Sequence, residues 1–202
     1  LISDLLQAQA DWRRALHNAA EIVGRLIDIS TPLVADAATG VTTEISTLYE
    51  LVEDPAAIDQ THDILDQIND VEISRLTQIF ELRLRSAELA ALFRQLDKER
   101  QVGQIDLIQA QAAEFLTVMG RRAHAIINPN RAHQVQELLT QLDGIVKSGN
   151  SVSLFDVRRN ALAISTRLSE LNLRNTDAAD ALGATVADLL GDAETSVDQS
   201  SA

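Results

Sequence analysis

Arginine pairs recur along this chain, at Arg13–Arg14, Arg121–Arg122 and Arg158–Arg159. A guanidinium presents its N–H donors in a planar fork, so a pair converging inside a helical bundle would grip a carboxylate or another small anion. His17 follows the first pair and His124 the second. The ligand-binding candidates are therefore Arg121, Arg122, His124, Arg13 and Arg14. Arg122 leads them because it stands at heptad spacing from Phe115 and Met119, beside an apolar stripe. The same residues have an ordinary use, since arginine stems cover the edges of apolar stripes while their heads stay in water. The four histidines, His17, His62, His124 and His133, fit neither Glu-x-x-His nor His-Glu-x-x-His, the spacings that bring metal ligands to one helix face. Serines and aspartates are scattered along helical patterns without a nucleophile elbow or a glycine-rich loop. No catalytic residue, metal site or cofactor is expected.

Composition narrows the partners. The net charge is −13, which disfavours nucleic acid and anionic lipid surfaces, both of which reward clustered Lys and Arg. There is no cysteine, so neither a disulfide framework nor thiolate chemistry is available. No apolar run reaches the ~18 residues of a membrane span. The chain opens at Leu1 already in helical register, which predicts a piece cut from a longer protein.

The elements that must position these side chains are long helices. Hydrophobic content is 46% but aromatic content only 3%, and only three prolines and eight glycines interrupt the chain. Leu1, Leu5, Ala8, Trp12, Ala15, Ala19, Ile22, Leu26, Ile29 and Leu33 alternate steps of four and three, the mark of helices packed lengthwise. Ile2, Leu6, Leu16, Ala20, Val23, Ile27 and Val34 widen that stripe to the face a bundle needs. Ser30-Thr31-Pro32 predicts a break, with Gly40 a second weak point. Asp54-Pro55 reads as an N-cap followed by a proline-led helix, and Asn69 with Glu72 as an internal capping box. The descending leg carries Ile79, Leu82, Ser86, Leu89, Phe93 and Leu96. The next stripe is Ile105, Ile108, Ala112, Leu116, Met119, Ala123 and Ile126, stopped by Asn128-Pro129-Asn130. A shorter helix from about Arg131 to Val146 ends at Ser148-Gly149-Asn150. The last leg, opened by Ser153 as cap and Asp156 in the first turn, carries Leu154, Val157, Ala161, Ile164, Leu168, Leu171, Asn175, Ala178 and Leu182. If the chain continues upward through Asn128–Asn130, the legs run up, down, up, down. The fold class is then all-α: an elongated up-down-up-down helical bundle, two four-helix bundles stacked end to end.

The pattern Leu154-Phe155-x-x-Arg158-Arg159, Ala161-Leu162, Asn175, Ala178 to Leu182 and Val186-x-x-Leu189-Leu190 resembles the last sensor helix of TorS-like sensor kinases. Chemoreceptors with the helical bimodular ligand-binding domain are similar there. The resemblance implies a periplasmic sensor domain of an inner-membrane receptor, the kinase domain lying outside this chain and the membrane entered only through flanking transmembrane helices. A chemoreceptor domain for small carboxylates is the alternative, and a soluble acidic scaffold the second. A membrane-proximal bundle from 1–30, 70–127 and 170–197 is expected, and a membrane-distal one from 31–69 and 128–169, within one sensor domain of 1–202. Detection would be of a small-molecule ligand directly or through a periplasmic binding protein. Such a protein would dock on Tyr49, Leu51, Val52, Leu154, Phe155 and Arg158, grouped at the far tip. A homodimer through the first helix is expected. Asn175, at a core position of the heptad, is read as a buried amide that sets register. The nitrate-sensor pattern Asn-x-Ala-Gly-x-x-Arg is not met, because Asn18 to Arg25 has the wrong spacing and lacks the glycine.

Overall fold

The computed structural model describes residues 2–52, 57–147 and 152–200, the side chains of Ile58, Leu190 and 192–200 excepted. Among them every regular element is helical: α1 (Ile2–Val52), α2 (Ile58–Asp66), a π-helical segment (Gln67–Ile73), α3 (Ser74–Lys98), α4 (Val102–Arg122), a 3-10 turn (Ala123–Ala125), α5 (Pro129–Val146) and α6 (Leu154–Ser200). The chain falls into two compact units, Ala10–Arg159 and the pair Leu1–Gln9 with Asn160–Ala202.

Within Ala10–Arg159 the helices run antiparallel, and a few side-chain contacts fix the register. Trp12 Nε1 donates to Asp97 Oδ1 at 3.1 Å and Gln67 Nε2 to Glu44 Oε1 at 3.3 Å, so α3 descends along α1. Ser86 Oγ meets Met119 Sδ at 3.3 Å and Arg122 Nε donates to Glu81 Oε2 at 2.6 Å, so α4 ascends along α3. Gln109 Nε2 donates to the Val146 carbonyl at 2.9 Å. The last residue of α5 therefore lies beside the early part of α4, and Asn128–Asn130 reverses the chain instead of carrying it upward. The cap itself is as expected: Asn128 Oδ1 accepts from the Asn130 and Arg131 amides, with Pro129 at the first helical position.

Between α3 and α4 the core is the one that the stripes define, whereas Leu171, Ala178 and Leu182 of the stripe expected on the last leg are exposed. Ile79, Leu82, Leu89, Phe93 and Leu96 of α3 meet Ile105, Ile108, Ala112, Leu116 and Met119 of α4, all buried. Leu26, Leu33 and Ala37 of α1 and Val135, Leu138 and Leu142 of α5 close it. Buried Ser86 donates to the Leu82 carbonyl, which satisfies its hydroxyl within its own helix.

Two expected breaks are absent. α1 runs unbroken through Pro32 and Gly40. Proline removes one amide donor, and Ser30 Oγ and Thr31 Oγ1 bond back to the Ile27 carbonyl one turn earlier, at 3.0 and 2.8 Å. Asn69 caps nothing: its side chain reaches Asp70, and Gln67–Ile73 continues from α2 into α3 as a π segment. The cap read at Asp54-Pro55 and the stop at Ser148-Gly149-Asn150 lie outside the described residues.

In the other unit, α6 beyond Asn160 keeps its helical hydrogen bonding to Ser200. Ala161 is buried, Ile164 and Leu168 are half-buried, and every described side chain from Leu171 to Leu189 is exposed. Asn175 is among the exposed ones, which corrects its reading as a buried amide. No helix among the described residues is long and apolar enough to cross a membrane.

Candidate functional site

The start of α6 is held by its own sequence. Ser153 Oγ accepts from the Asp156 amide at 3.1 Å and donates to Asp156 Oδ2 at 2.7 Å, a reciprocal cap that frees the first turn to present Arg158 and Arg159. Arg158 Nη2 donates to the Asp97 and Glu99 carbonyls at 2.8 and 2.6 Å, closing the C-terminal end of α3, where a cation is favourable with the helix dipole. Its guanidinium lies 5.0 Å over the Trp12 ring. Burial lowers the Arg158 pKa, against the pull of Asp97 and together with the push of Arg100. Arg159 reaches Asp106 Oδ1 at 2.6 Å, Gln109 Oε1 at 2.6 Å and Asp156 Oδ1 at 2.8 Å. Two adjacent arginines thus tie one helix start to α1, α3 and α4. Leu154 and Phe155 are buried beneath them.

This placement corrects the docking patch. Tyr49 and Val52 are exposed and Leu51 half-buried. Arg158, however, stands over Trp12, and Tyr49 lies roughly 55 Å further along α1 at helical rise. Leu154 and Phe155 are core, Arg158 is engaged, and the six residues do not form one surface.

The arginine candidates also scatter. Arg13 and Arg14 are exposed, and Arg14 makes a loose 3.6 Å pair with Asp11. Arg122 is neutralised by Glu81 across the α3–α4 seam, and Arg121 is exposed. His124 lines a surface groove with Ala132, His133 and Gln136 that includes neither arginine.

Instead the structure brings together Arg75 and Arg131, which sequence reasoning passed over. Both line a cavity of about 430 Å³ with Leu33, Asp36, Ala37, Ile79, Ala125, Ile127, Asn128 and Pro129. Arg75 Nη2 is 2.6 Å from Glu72 Oε2, and Arg131 Nη1 is 2.6 Å from Asp36 Oδ2. Gly40 packs against the first pair: a Cβ there would lie 2.6 Å from Arg75 Nη2 and 2.9 Å from Glu72 Oε2. The available signal was Glu72-x-x-Arg75, an i, i+3 pair facing a glycine on α1.

Comparison with known proteins decides the family. The family described as the sensor domain of sensor protein TorS matches residues 1–199. The chain belongs to the TorS sensor-domain family. Among solved structures, the TorS sensor domain in its complex with TorT in the presence of TMAO superposes with a TM-score of 0.71 at 20% identity, covering 86% of this chain. The chain spans 63% of the length of that TorS chain. A search of curated proteins gives no match. The family match settles the resemblance first carried by Leu154 to Leu190, and the superposition places the all-α fold with that of TorS.

Proposed function

We propose that this TorS-family domain is the periplasmic sensing part of an inner-membrane receptor histidine kinase, and that it takes its signal through a periplasmic binding protein. The family match over 1–199 carries the reading, and the relative that superposes is itself a sensor domain bound to TorT. The scatter of Arg121, Arg122, His124, Arg13 and Arg14 favours a protein-borne signal over an anion held by those residues. Tyr49 and Val52 are the retained docking residues, both exposed, and tyrosine is a residue type that interface centres favour. Self-association through the first helix belongs to the same reading, supported by Ile2 and Leu6, which are exposed at its start.

The test uses the full-length receptor and its cognate binding protein. Tyr49→Ala with Val52→Ala weakens the complex about tenfold or more by calorimetry and silences phosphorylation, while Arg122→Ala leaves both unchanged. Unchanged signalling in the double variant, or loss of signalling in Arg122→Ala, refutes the docking assignment. Sedimentation across a concentration series checks self-association, and a strict monomer at high concentration refutes that part.

A further inference from the structure

Three backbone irregularities surround one cavity. Pro32 interrupts the amide ladder of α1, the π segment ends at Ile73, and the turn at Asn128 reverses the chain between α4 and α5. Regular helices at this level would close on one another with interdigitated side chains. Here Leu33 and Ala37, Arg75 and Ile79, and Asn128 and Arg131 stand around a space of about 430 Å³, within the range of small-molecule sites.

The chemistry of the walls is specific. Arg75 is largely buried, with a side-chain exposure of 18%, and its only protein partner among the described residues is Glu72. Its Nη2 lies against Glu72 and Gly40, and because a guanidinium has five N–H donors and Arg75 lines the cavity, donors remain for an anion bound there. Arg131 gives one donor to Asp36, whose side chain is 65% exposed, so this second pair opens at little cost. Were a bound carboxylate to draw Arg131 inward, Asp36 would be left as an acceptor at the rim. In that arrangement the site would offer two guanidinium groups for a carboxylate, the Asp36 carboxylate for a cation, and the apolar surface of Leu33, Ala37 and Ile79. Two Arg against Asp36 and Glu72 make the set electrically neutral, which suits a ligand carrying both signs. Among the described residues no aromatic ring lines the cavity, which favours a hydrogen-bonding ammonium over a quaternary one.

We propose that this cavity binds an aliphatic α-amino acid, its carboxylate between Arg75 and Arg131, its ammonium on Asp36 and its side chain against Leu33 and Ile79. The proposal does not rest on a binding-protein partner and is tested on this chain alone. L-Leucine is the probe, with 4-methylpentanoate (the same skeleton without the ammonium) and isopentylamine (without the carboxylate) as controls, by calorimetry and thermal melting. L-Leucine is expected to bind one to one, and each control about tenfold or more weaker. Asp36→Asn should weaken L-leucine about tenfold and leave 4-methylpentanoate unchanged. Arg75→Gln and, on the surface where folding is not at issue, Arg131→Gln should weaken both. Absence of L-leucine binding at ~10 mM overturns the proposal. So does equal binding of 4-methylpentanoate, or an Asp36→Asn chain that holds L-leucine as tightly as the parent.

Discussion

Arg158→Ala isolates the joint at the start of α6. Its guanidinium makes hydrogen bonds of 2.8 and 2.6 Å to the Asp97 and Glu99 carbonyls and covers the Trp12 ring at 5.0 Å. Each bond contributes about 1 kcal/mol in this partly exposed setting, and the ring contact about 0.5–1 kcal/mol. Against this stands a desolvation cost, visible in the lowered pKa and in an Nε that is buried without an acceptor among the described residues. The net loss should be about 2 kcal/mol. Urea unfolding checks it, as a lower midpoint at unchanged slope, because the change removes contacts without altering the surface exposed on unfolding. Arg158→Lys sharpens the test. Lysine keeps the charge but has no planar fork to bridge two carbonyls while lying flat on an indole, so it should recover at most about half of the loss. A shift below about 0.5 kcal/mol for Arg158→Ala, or full stability in Arg158→Lys, refutes the joint as described.

Phe155→Ala should cost about 3–5 kcal/mol by the same unfolding assay, because the ring is fully buried; a loss under about 1 kcal/mol would return it to the surface. Gly40→Ala should change stability by less than about 1 kcal/mol, because the new methyl displaces only the flexible ends of Glu72 and Arg75 and that cost offsets its gain in helix propensity. Gly24→Ala, with nothing within 4 Å of the added Cβ, should stabilise by about 0.5–1 kcal/mol, and an equal or larger gain at Gly40 would refute the packing there. Tyr49→Ala with Val52→Ala should change stability by less than about 0.5 kcal/mol, so that any signalling defect reports docking and not folding.

The α3 and α4 stripes were legible because heptad spacing records which side of a long helix is covered, and every residue named in them is buried. The direction of the chain after Asn128 was not. An N-cap signal says where a helix begins, while the angle between successive helices is decided by packing, here by Val135, Leu138 and Leu142 returning along the core. Pro32 misled because a proline is a local cost of one donor, and the packing of Leu26, Leu33 and Ala37 on either side outweighs it. Phe155 was placed at the right element, as a plug for one end of a bundle, but its grouping with Tyr49 followed from the wrong direction of α5. The candidate site fared worst. Adjacent arginines catch the eye in a sequence, yet neighbours on a helix point about 100° apart, whereas Arg75 and Arg131 come from different helices and meet only once the turn at Asn128 folds back.

The π segment has a consequence for insertions and deletions. Such a segment carries an extra residue relative to the α-helix it interrupts. Removing one residue from Gln67–Ile73 should therefore regularise the helix and leave Ile79, Leu82, Leu89 and Phe93 facing α4 as before. Removing one residue within α3, between Ile79 and Phe93, turns everything on one side of the deletion by about 100° and drives part of the stripe out of the core. Along this leg, length is free to vary by one residue where the helix is already overfull, and nowhere in the stripe below it.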